Sequence, residues 1–281
     1  RMALVLSMVL VVAGFGFKMA TVPFHMWVPD VYEGAPTPIT AFLSVASKSA
    51  GFAVVLRLFH TALGDTQLSA DWSNLFAVLS ALSMTLGNVV AVQQSNIKRM
   101  MGYSSIAHAG FIMVGLAVVP QLGPSGVIFY LLAYAFTNLG AFIAIIAISN
   151  KINSDLIADY AGVARRAPGL ALALTLCLMS LTGIPPTAGF VAKFYIFNAA
   201  IQQGLLWLVL VGVINSVVSA YFYMGVVKAM YLGAPSTEES ISTPAPIAIA
   251  LATATIGVLL VGILPGAVIQ AAAAAIGTLI P

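Results

Sequence analysis

The stretch "GFKMATVPFHMWVPDVYEGAPTP", residues 16–38, brings together a lysine and a helix break at the end of a long apolar run. Apolar residues dominate from Met2 to Phe17, Lys18 follows them directly, and Pro23 comes five residues later. Proline has no backbone N–H to donate, and its ring clashes with the preceding turn of a helix. The stretch therefore predicts an apolar helix that carries an ammonium group and is interrupted beside it.

The composition is that of a membrane protein. Of the 281 residues, 61% are hydrophobic and only 7% are charged, whereas soluble domains carry about 25% charged residues. So little charge cannot cover a water-exposed surface, and apolar runs of about 20 residues can cross a bilayer as helices. The single cysteine, Cys177, lies inside an apolar run, which excludes a disulfide framework or a cysteine metal cluster. We predict an all-α polytopic membrane protein.

The apolar runs predict about eight transmembrane helices, two of them broken. The first contains Pro23, and the sixth contains the run Gly183-Ile184-Pro185-Pro186. The alanine-rich tail, residues 265–281, either lies along the membrane interface or extends the last helix. The predicted spans are residues 2–32, 37–63, 72–94, 100–119, 124–149, 168–201, 204–232 and 245–264.

Basic residues divide the predicted loops into two sets. The loops after the odd-numbered spans together contain five Lys and Arg residues, all of them after the third and fifth spans, whereas the loops after the even-numbered spans contain none. The positive-inside rule then places the odd-numbered loops on the cytoplasmic or equivalent side and both termini on the outer side. The basic residues of this set are Lys98, Arg99, Lys151, Arg165 and Arg166, with Lys228 at the end of the seventh span.

Three lysines lie in apolar surroundings, although all eight acids, including Asp65 and Glu238, are predicted in loops or at span ends. Lys48 is midway along the second span, Lys193 follows the second break, and Lys18 adjoins the first. A lysine at the centre of a span costs about 2.5–3.5 kcal/mol on insertion scales, so such residues usually face a cavity and carry function. For Lys18, snorkelling of the ammonium to the interface stays an alternative.

Lysines beside helix breaks are suited to proton transfer. Burial disfavours the charged form of a lysine and a nearby carboxylate restores it, so a partner that approaches and withdraws makes the lysine exchange a proton. Irregular backbone at membrane depth is tolerated when it is buried in protein or lines a water-filled cavity. The breaks at Pro23 and at Gly183, Pro185 and Pro186 would therefore hydrate the lysines. Paired broken helices are typical of transporters built from inverted repeats, and a simple proline kink is the alternative.

Other polar residues are weaker candidates. His108, in "GYSSIAHAGF", could relay protons at neutral pH or simply hydrogen-bond to a neighbour. His25 could join the relay or cap its loop, and we expect Asp30 and Glu33 to tie that loop to basic residues such as Arg165. No motif for nucleotide, haem, iron–sulfur or quinone chemistry is present, and the three histidines lack metal-site spacing. Residues expected to join helices or hold waters are Asn88, Thr137, Asn138, Asn215 and Ser216.

Four motifs resemble one known family: "KMATVPFHMWVPDVYEGAPTPITAFLSVASK", "NIKRMMGYSSIAHAGF", "DYAGVARRAP" and "LTGIPPTAGFVAKFYIF". In this order they are similar to the antiporter-like membrane subunits of respiratory complex I, with subunit N (subunit 2 in mitochondria and plastids) as the best match. The resemblance runs from about Gly14 to Tyr231. Multi-subunit cation/proton antiporters and membrane-bound hydrogenases have similar subunits, with histidine in the helix where this chain has Lys48.

The resemblance implies a fourteen-helix fold with two inverted five-helix repeats, of which this chain is the C-terminal portion, helices seven to fourteen. Residues 1–63 would end the first repeat with its broken helix and the helix that follows. Residues 64–233 would form the second repeat, and residues 234–281 would supply the final helix and the tail.

The resemblance also implies roles for individual residues. Lys18 matches the lysine of the first broken helix, which in the family pairs with a glutamate of a helix that precedes this chain. Lys48 matches the connecting lysine of the next helix. Lys193 matches the lysine of the second broken helix, which faces the neighbouring subunit, and His108 falls where the family often has a polar relay residue.

By this resemblance, the chain is expected to translocate protons as a subunit of the enzyme NADH:quinone oxidoreductase, without redox chemistry of its own. The alternatives are a subunit of a multi-subunit sodium/proton antiporter or membrane-bound hydrogenase, or a structural assembly module. No cofactor is expected in this chain, and flavin, iron–sulfur clusters and quinone would belong to partner subunits. The expected partners are other complex I membrane subunits, including neighbouring antiporter-like ones, and the lipid bilayer, with no nucleic acid. A bacterial plasma membrane is expected, with an organelle inner or thylakoid membrane as the alternative.

Overall fold

The structure is a computed structural model that describes residues 2–63, 66–120, 122–235, 237 and 239–279. Asp65 and Glu238, which the sequence assigns to loops, lie outside the described residues. The described part of the chain contains no strand beyond an isolated bridge between Asn96 and Leu156. Its helices are α1 (Met2–Met19), α2 (Trp27–Gly34), α3 (Thr37–Ala62), α4 (Thr66–Ala91), α5 (Ile97–Ala117), α6 (Leu122–Ile152), α7 (Pro168–Thr182), α8 (Ala188–Gln202), α9 (Leu206–Leu232), α10 (Ala245–Ile263) and α11 (Gly266–Leu279), with short helical turns at Ile157–Tyr160 and Val163–Arg166.

Within the residues that the structure describes, seven helices are long and apolar enough to cross a membrane. The remaining predicted span consists of α7 and α8, each too short to cross alone, and the first span continues after its break as the short helix α2. The prediction of an all-α membrane fold with two broken helices is confirmed. The tail forms the separate helix α11, which packs against α6, so it does not extend α10.

Helix α5 forms the centre of the fold. It is almost completely buried and packs against α2, α4, α6 and α8. Gly87 of α4 lets two backbones meet, because a β-carbon there would lie 2.6 Å from the backbone nitrogen of Ala107. Small residues allow such close approach between membrane helices. The central position brings the polar side chains of α5 within reach of several other helices.

Contacts between loops show which loops lie at the same end of the molecule. At one end, Lys98 pairs with the Asp155 carboxylate at 3.3 Å and also donates to a carbonyl of the loop after α2. At the other end, the Gln203 side chain contacts Ser73 near the start of α4 and accepts a hydrogen bond from the Val119 backbone after α5. The loops after odd-numbered spans thus lie together, as do those after even-numbered spans. This pairing is what a count of eight spans requires.

Candidate functional site

The first break lies between Met19, the last residue of α1, and Trp27, the first of α2. The Trp27 indole donates to the carbonyl oxygen of Phe17 at 3.1 Å, so this carbonyl at the end of α1 accepts from both Trp27 and the Ala20 backbone N–H. A β-carbon at Gly51 would lie 3.3 Å from Cγ of Lys18, so the lysine stem packs against α3. Lys18 is exposed in this chain, and its ammonium has no hydrogen-bond or ion-pair partner among the described residues.

The second break separates Thr182, at the end of α7, from Ala188, at the start of α8. Lys193 of α8 turns back towards this break, and its Nζ donates to the carbonyl oxygens of Leu181 and Thr182 at 3.1 and 2.8 Å. These carbonyls are orphan acceptors of α7, and the C-terminal end of a helix carries negative partial charge. The C-terminal end of α7 therefore binds the ammonium group of Lys193, which lies on α8.

Two further groups contact the Lys193 ammonium. It donates to Ser216 Oγ of α9 at 3.1 Å, and it lies 4.2 Å from the centroid of the Phe111 ring, within range of a cation–π interaction. Lys193 is only 5% exposed. A cavity of about 410 Å³ opens beside the break and has both Lys193 and Ser216 in its lining. The lysine is thus shielded from the surface and still borders an open space.

Lys48 lies on α3 directly after a π-helical segment, Leu43–Ser47, and is 3% exposed. Single π turns inside α-helices are frequent at functional sites. The Lys48 ammonium donates to the hydroxyl and the carbonyl oxygen of Ser105 at 2.6 and 2.5 Å. The Tyr32 hydroxyl shares a hydrogen bond with the same Ser105 hydroxyl at 3.1 Å. Among the described residues no carboxylate pairs with Lys48, so neutral dipoles stabilise its ammonium.

His108 lies within a cluster of tyrosines. Its Nδ1 is 2.8 Å from the Tyr130 hydroxyl, and its Nε2 is 3.4 Å from the Tyr223 hydroxyl. Tyr223 also hydrogen-bonds to Ser104, one turn earlier in α5. A neutral imidazole has one donor and one acceptor nitrogen, and a hydroxyl can serve as either partner. The cluster can therefore accommodate both tautomers of His108, as the transfer of a proton across the ring requires.

One face of α5 joins these groups into a series. Ser105, His108 and Phe111 recur every three residues, so their side chains lie on the same side of the helix. Ser105 accepts from Lys48, His108 bonds to the tyrosines, and Phe111 lies under Lys193. The structure thus arranges Lys48, His108 and Lys193 in order along a single helix.

The sequence alone did not identify the tyrosines or the serine that complete this series. The spacing of Ser105 and His108 was a usable signal, because three residues separate side chains on one helix face. Tyr130 and Tyr223 carried no comparable signal, since a tyrosine in an apolar run is equally typical of helix packing. Within the described ranges, no group of three or more His, Cys, Asp or Glu side chains could hold a metal ion.

The other candidates of the first break lie apart from this series. His25 occupies the turn between α1 and α2, where its buried Nδ1 has no hydrogen-bond partner among the described residues. Asp30 and Glu33 accept hydrogen bonds from Arg99 at 2.7 and 2.8 Å. The two carboxylates therefore bond to a basic residue as expected, but that residue is Arg99 and not Arg165. Arg99 lies in the first turn of α5, and α5 packs against α2. This packing brings the arginine to the two carboxylates of α2.

Comparisons with known proteins agree with the resemblance of the motifs. The sequence model of the family described as "NADH:quinone oxidoreductase/Mrp antiporter, TM" matches residues 1–219. The chain is 52% identical over 267 residues to "NADH-quinone oxidoreductase subunit N" of Dehalococcoides mccartyi, a match that covers 93% of this chain and 55% of that protein. The chain thus spans about half the length of the curated relatives that it matches.

Solved structures share the fold. A chain of respiratory complex I from Thermus thermophilus, solved with bound aureothin, superposes with a TM-score of 0.83 at 34% identity, covering 96% of this chain and 59% of that chain. A chain of the Mrp complex from Dietzia sp. superposes with a TM-score of 0.89 at 21% identity, covering 100% of this chain and 60% of that chain. At that lower identity the likeness concerns the fold alone.

Proposed function

Because this chain belongs to the NADH:quinone oxidoreductase/Mrp antiporter membrane family, we propose that it translocates protons as part of subunit N of a NADH:quinone oxidoreductase complex. The observation that carries this proposal is the series along α5. Lys48, His108 and Lys193 can each gain or lose a proton, all three are buried, and hydroxyl groups contact each of them. Buried ionisable residues inside membrane spans typically mark ion and proton pathways.

The proposal extends to the organisation of the whole protein and complex. Residues 1–63 would belong to one inverted repeat, residues 64–233 to the second, and residues 234–281 to a final helix and tail. Other membrane subunits would adjoin the chain, and flavin, iron–sulfur clusters and quinone would be held by partner subunits. The complex would lie in a bacterial plasma membrane, with both ends of this chain on the outer side.

Proton transfer would begin at the first break. Lys18 is exposed and lies in the last turn of α1, so it is available to a carboxylate of another part of the complex. Withdrawal of that carboxylate would disfavour the charged form of Lys18. The Lys18 stem packs against Gly51 of α3, which is three residues after Lys48. A proton released by Lys18 would therefore start beside the helix that carries Lys48. Redox energy from elsewhere in the complex would drive this change of charge.

From Lys48 the proton would move by way of Ser105 and waters to His108, and then to Lys193. The carbonyls of Leu181 and Thr182 stabilise the ammonium form of Lys193 without a counter-ion of full charge. An ammonium group stabilised only by dipoles releases its proton more readily than one paired with a carboxylate. The adjacent cavity of about 410 Å³ offers an exit for that proton.

Replacement of Lys193 by alanine in the intact complex tests the proposal. In reconstituted vesicles we expect Lys193→Ala to lower the number of protons pumped per electron and the rate of coupled quinone reduction. Lys228→Ala is the matched control, because Lys228 is an exposed lysine on α9 outside the series. Unchanged pumping per electron in Lys193→Ala would refute the relay assignment.

Gradient-driven sodium/proton exchange is the second candidate, because the family description includes Mrp antiporters. The two functions differ in what drives transport. Proton movement that depends strictly on NADH oxidation supports the first function. Exchange driven by an imposed sodium gradient, without NADH, would replace it with the second.

A further inference from the structure

The turn of α3 that precedes Lys48 is wider than an ordinary helical turn. Residues Leu43–Ser47 are π-helical, and Lys48 begins the α-helical segment that follows. A π turn holds one more residue than an α turn, and successive residues of an α-helix lie roughly 100° apart around its axis. If these five residues were α-helical, Lys48 would point to another side of α3 and its ammonium would lose Ser105. The wide turn is thus a condition for the contact between Lys48 and Ser105.

Ser44 stabilises this wide turn through its side chain. It is completely buried, and its hydroxyl donates to the carbonyl oxygen of Ala41, three residues earlier, at 2.7 Å. A serine that bonds back to a carbonyl of the preceding turn competes with the backbone N–H groups of the helix and bends it. The Tyr32 hydroxyl, which shares a hydrogen bond with Ser105, also hydrogen-bonds to Ser44. Ser44 therefore connects the geometry of the turn with the acceptor of Lys48.

Asn138 of α6 holds Ser44 in this orientation. Helix α6 packs against the π-helical segment, and Asn138 Nδ2 donates to Ser44 Oγ at 2.6 Å. The direction of this bond is fixed, because the single hydroxyl proton of Ser44 is used in the bond to Ala41. Asn138 is 1% exposed, and its Oδ1 has no hydrogen-bond partner among the described residues. The donor half of the buried amide is therefore the half that contacts α3.

We propose that Asn138 is a positioning residue for Lys48: through its bond to Ser44 it maintains the wide turn that directs the Lys48 ammonium to Ser105. A buried acceptor without a partner destabilises a fold, so stability alone would not favour an asparagine at this position. The bond to Ser44 gives the amide its role. The effect of Asn138 on proton transfer rests on the proposed function, whereas its effect on the position of Lys48 does not.

Asn138→Leu in the intact complex tests the proposal, because leucine has nearly the shape of asparagine and no donor. High-resolution cryo-electron microscopy should show Lys48 Nζ within hydrogen-bonding distance of Ser105 in the parent. In Asn138→Leu it should show residues 43–47 as α-helix and Lys48 Nζ away from Ser105. The rate of coupled proton pumping should fall about two- to tenfold, the range expected for one neutral hydrogen bond. The denaturation midpoint should not fall, because the substitution also removes the unpartnered Oδ1, whereas loss of a merely structural bond would lower it.

Ser44→Ala removes the same hydrogen bond from the other side, and it keeps the test decisive if Asn138→Leu fails to assemble. Because Asn138 acts through Ser44, the double variant Ser44→Ala/Asn138→Leu should pump no more slowly than the slower single variant. Effects that multiply in the double variant would overturn the proposal.

Asn88→Leu is the matched control. Asn88 is a buried amide that donates to Asn215 at 3.3 Å and joins α4 to α9, and neither residue lies on α3. It should leave the π-helical segment intact and Lys48 in contact with Ser105. The same displacement of Lys48 in Asn88→Leu would show that loss of any buried amide moves the lysine, and it would refute a specific role for Asn138.

Different results would overturn different parts. An unchanged π-helical segment in Asn138→Leu, with Lys48 still bonded to Ser105, would refute the positioning role even if lysine variants abolish pumping. A displaced Lys48 with pumping at the parent rate would refute the effect of Asn138 on proton transfer while Lys193→Ala still impairs the complex. If Lys193→Ala also pumps normally, the proposed function fails, and a displaced Lys48 in Asn138→Leu would still support the structural part.

Discussion

The ammonium of Lys193 lies 2.8 Å from the carbonyl oxygen of Thr182, across the break that divides one span into two helices. In a continuous helix, the carbonyls of Leu181 and Thr182 would accept from the backbone N–H groups four residues later. Those positions are Pro185 and Pro186, which have no N–H. The lysine therefore donates to the two carbonyls that the double proline leaves without a helical partner. The break and the lysine form one structural unit.

Gly183→Ala should weaken this unit. Gly183 has φ +90°, a left-handed conformation in which a side chain costs about 1–2 kcal/mol. The new β-carbon would also lie 3.0 Å from Cδ of Lys193, so the lysine stem must shift. We expect a lower denaturation midpoint of the complex and fewer protons pumped per electron.

Gly204→Ala is the matched control for that substitution. Gly204 has φ +82°, and a β-carbon there would have no neighbour within 4 Å. Gly204→Ala should have the same left-handed backbone strain as Gly183→Ala but should not displace Lys193. We therefore expect it to lower the denaturation midpoint and to leave proton pumping unchanged. An equal pumping defect in both variants would show that strain alone, and not displacement of the lysine, causes the loss.

Ser105→Ala should slow coupled turnover without abolishing it. The substitution removes the hydroxyl that accepts from Lys48, while the Ser105 carbonyl remains as a second acceptor. A hydrogen bond to a charged group contributes about 1.5–3 kcal/mol, so we expect the rate of pumping to fall by roughly tenfold or more. Ser149→Ala removes a buried serine hydroxyl outside the series and should have no such effect on pumping. Turnover at the parent rate in Ser105→Ala would exclude its hydroxyl from the path.

Gly189→Ala should prevent assembly of the second break. A β-carbon at Gly189 would lie 1.8 Å from the carbonyl oxygen of Ser180, so α7 and α8 could not keep their present contact. Overpacking of this kind typically costs about 1–3 kcal/mol or more. Gly169→Ala, at the start of α7, introduces a β-carbon with no neighbour within 4 Å and is the control. We expect little folded Gly189→Ala protein in membranes and normal amounts of Gly169→Ala. Equal amounts would mean that the two helices can separate at little cost.

Arg99→Gln should affect stability only slightly. Arg99 bonds to both Asp30 and Glu33, but these carboxylates are 73% and 42% exposed, and exposed ion pairs contribute about 0–1 kcal/mol. The small difference in denaturation midpoint between parent and variant should shrink further in high salt, because exposed charges are screened. Arg165→Gln, which removes an exposed arginine of the same set of loops, is the comparison. A loss of several kcal/mol that does not respond to salt would contradict this account.

The sequence by itself determined the membrane class, the two breaks and the three unusual lysines. These features follow from local chemistry: the length of apolar runs, the missing N–H of proline, and the free-energy cost of a cation in an apolar span. The resemblance of the motifs added the family, and the comparisons agree with it. The confirmed features therefore need no knowledge of how one helix packs on another.

Only the tertiary structure decided which groups contact these residues. Lys48 donates to Ser105, 57 residues away, and Asp30 bonds to Arg99 rather than to Arg165. Such partners depend on how each helix is rotated about its axis and on where small residues such as Gly87 let backbones approach. Almost uniformly apolar helices have no polar face that would set this rotation from sequence. The rotation is set by side-chain packing among all the helices at once, and so the order of groups along α5 emerges only in the folded chain.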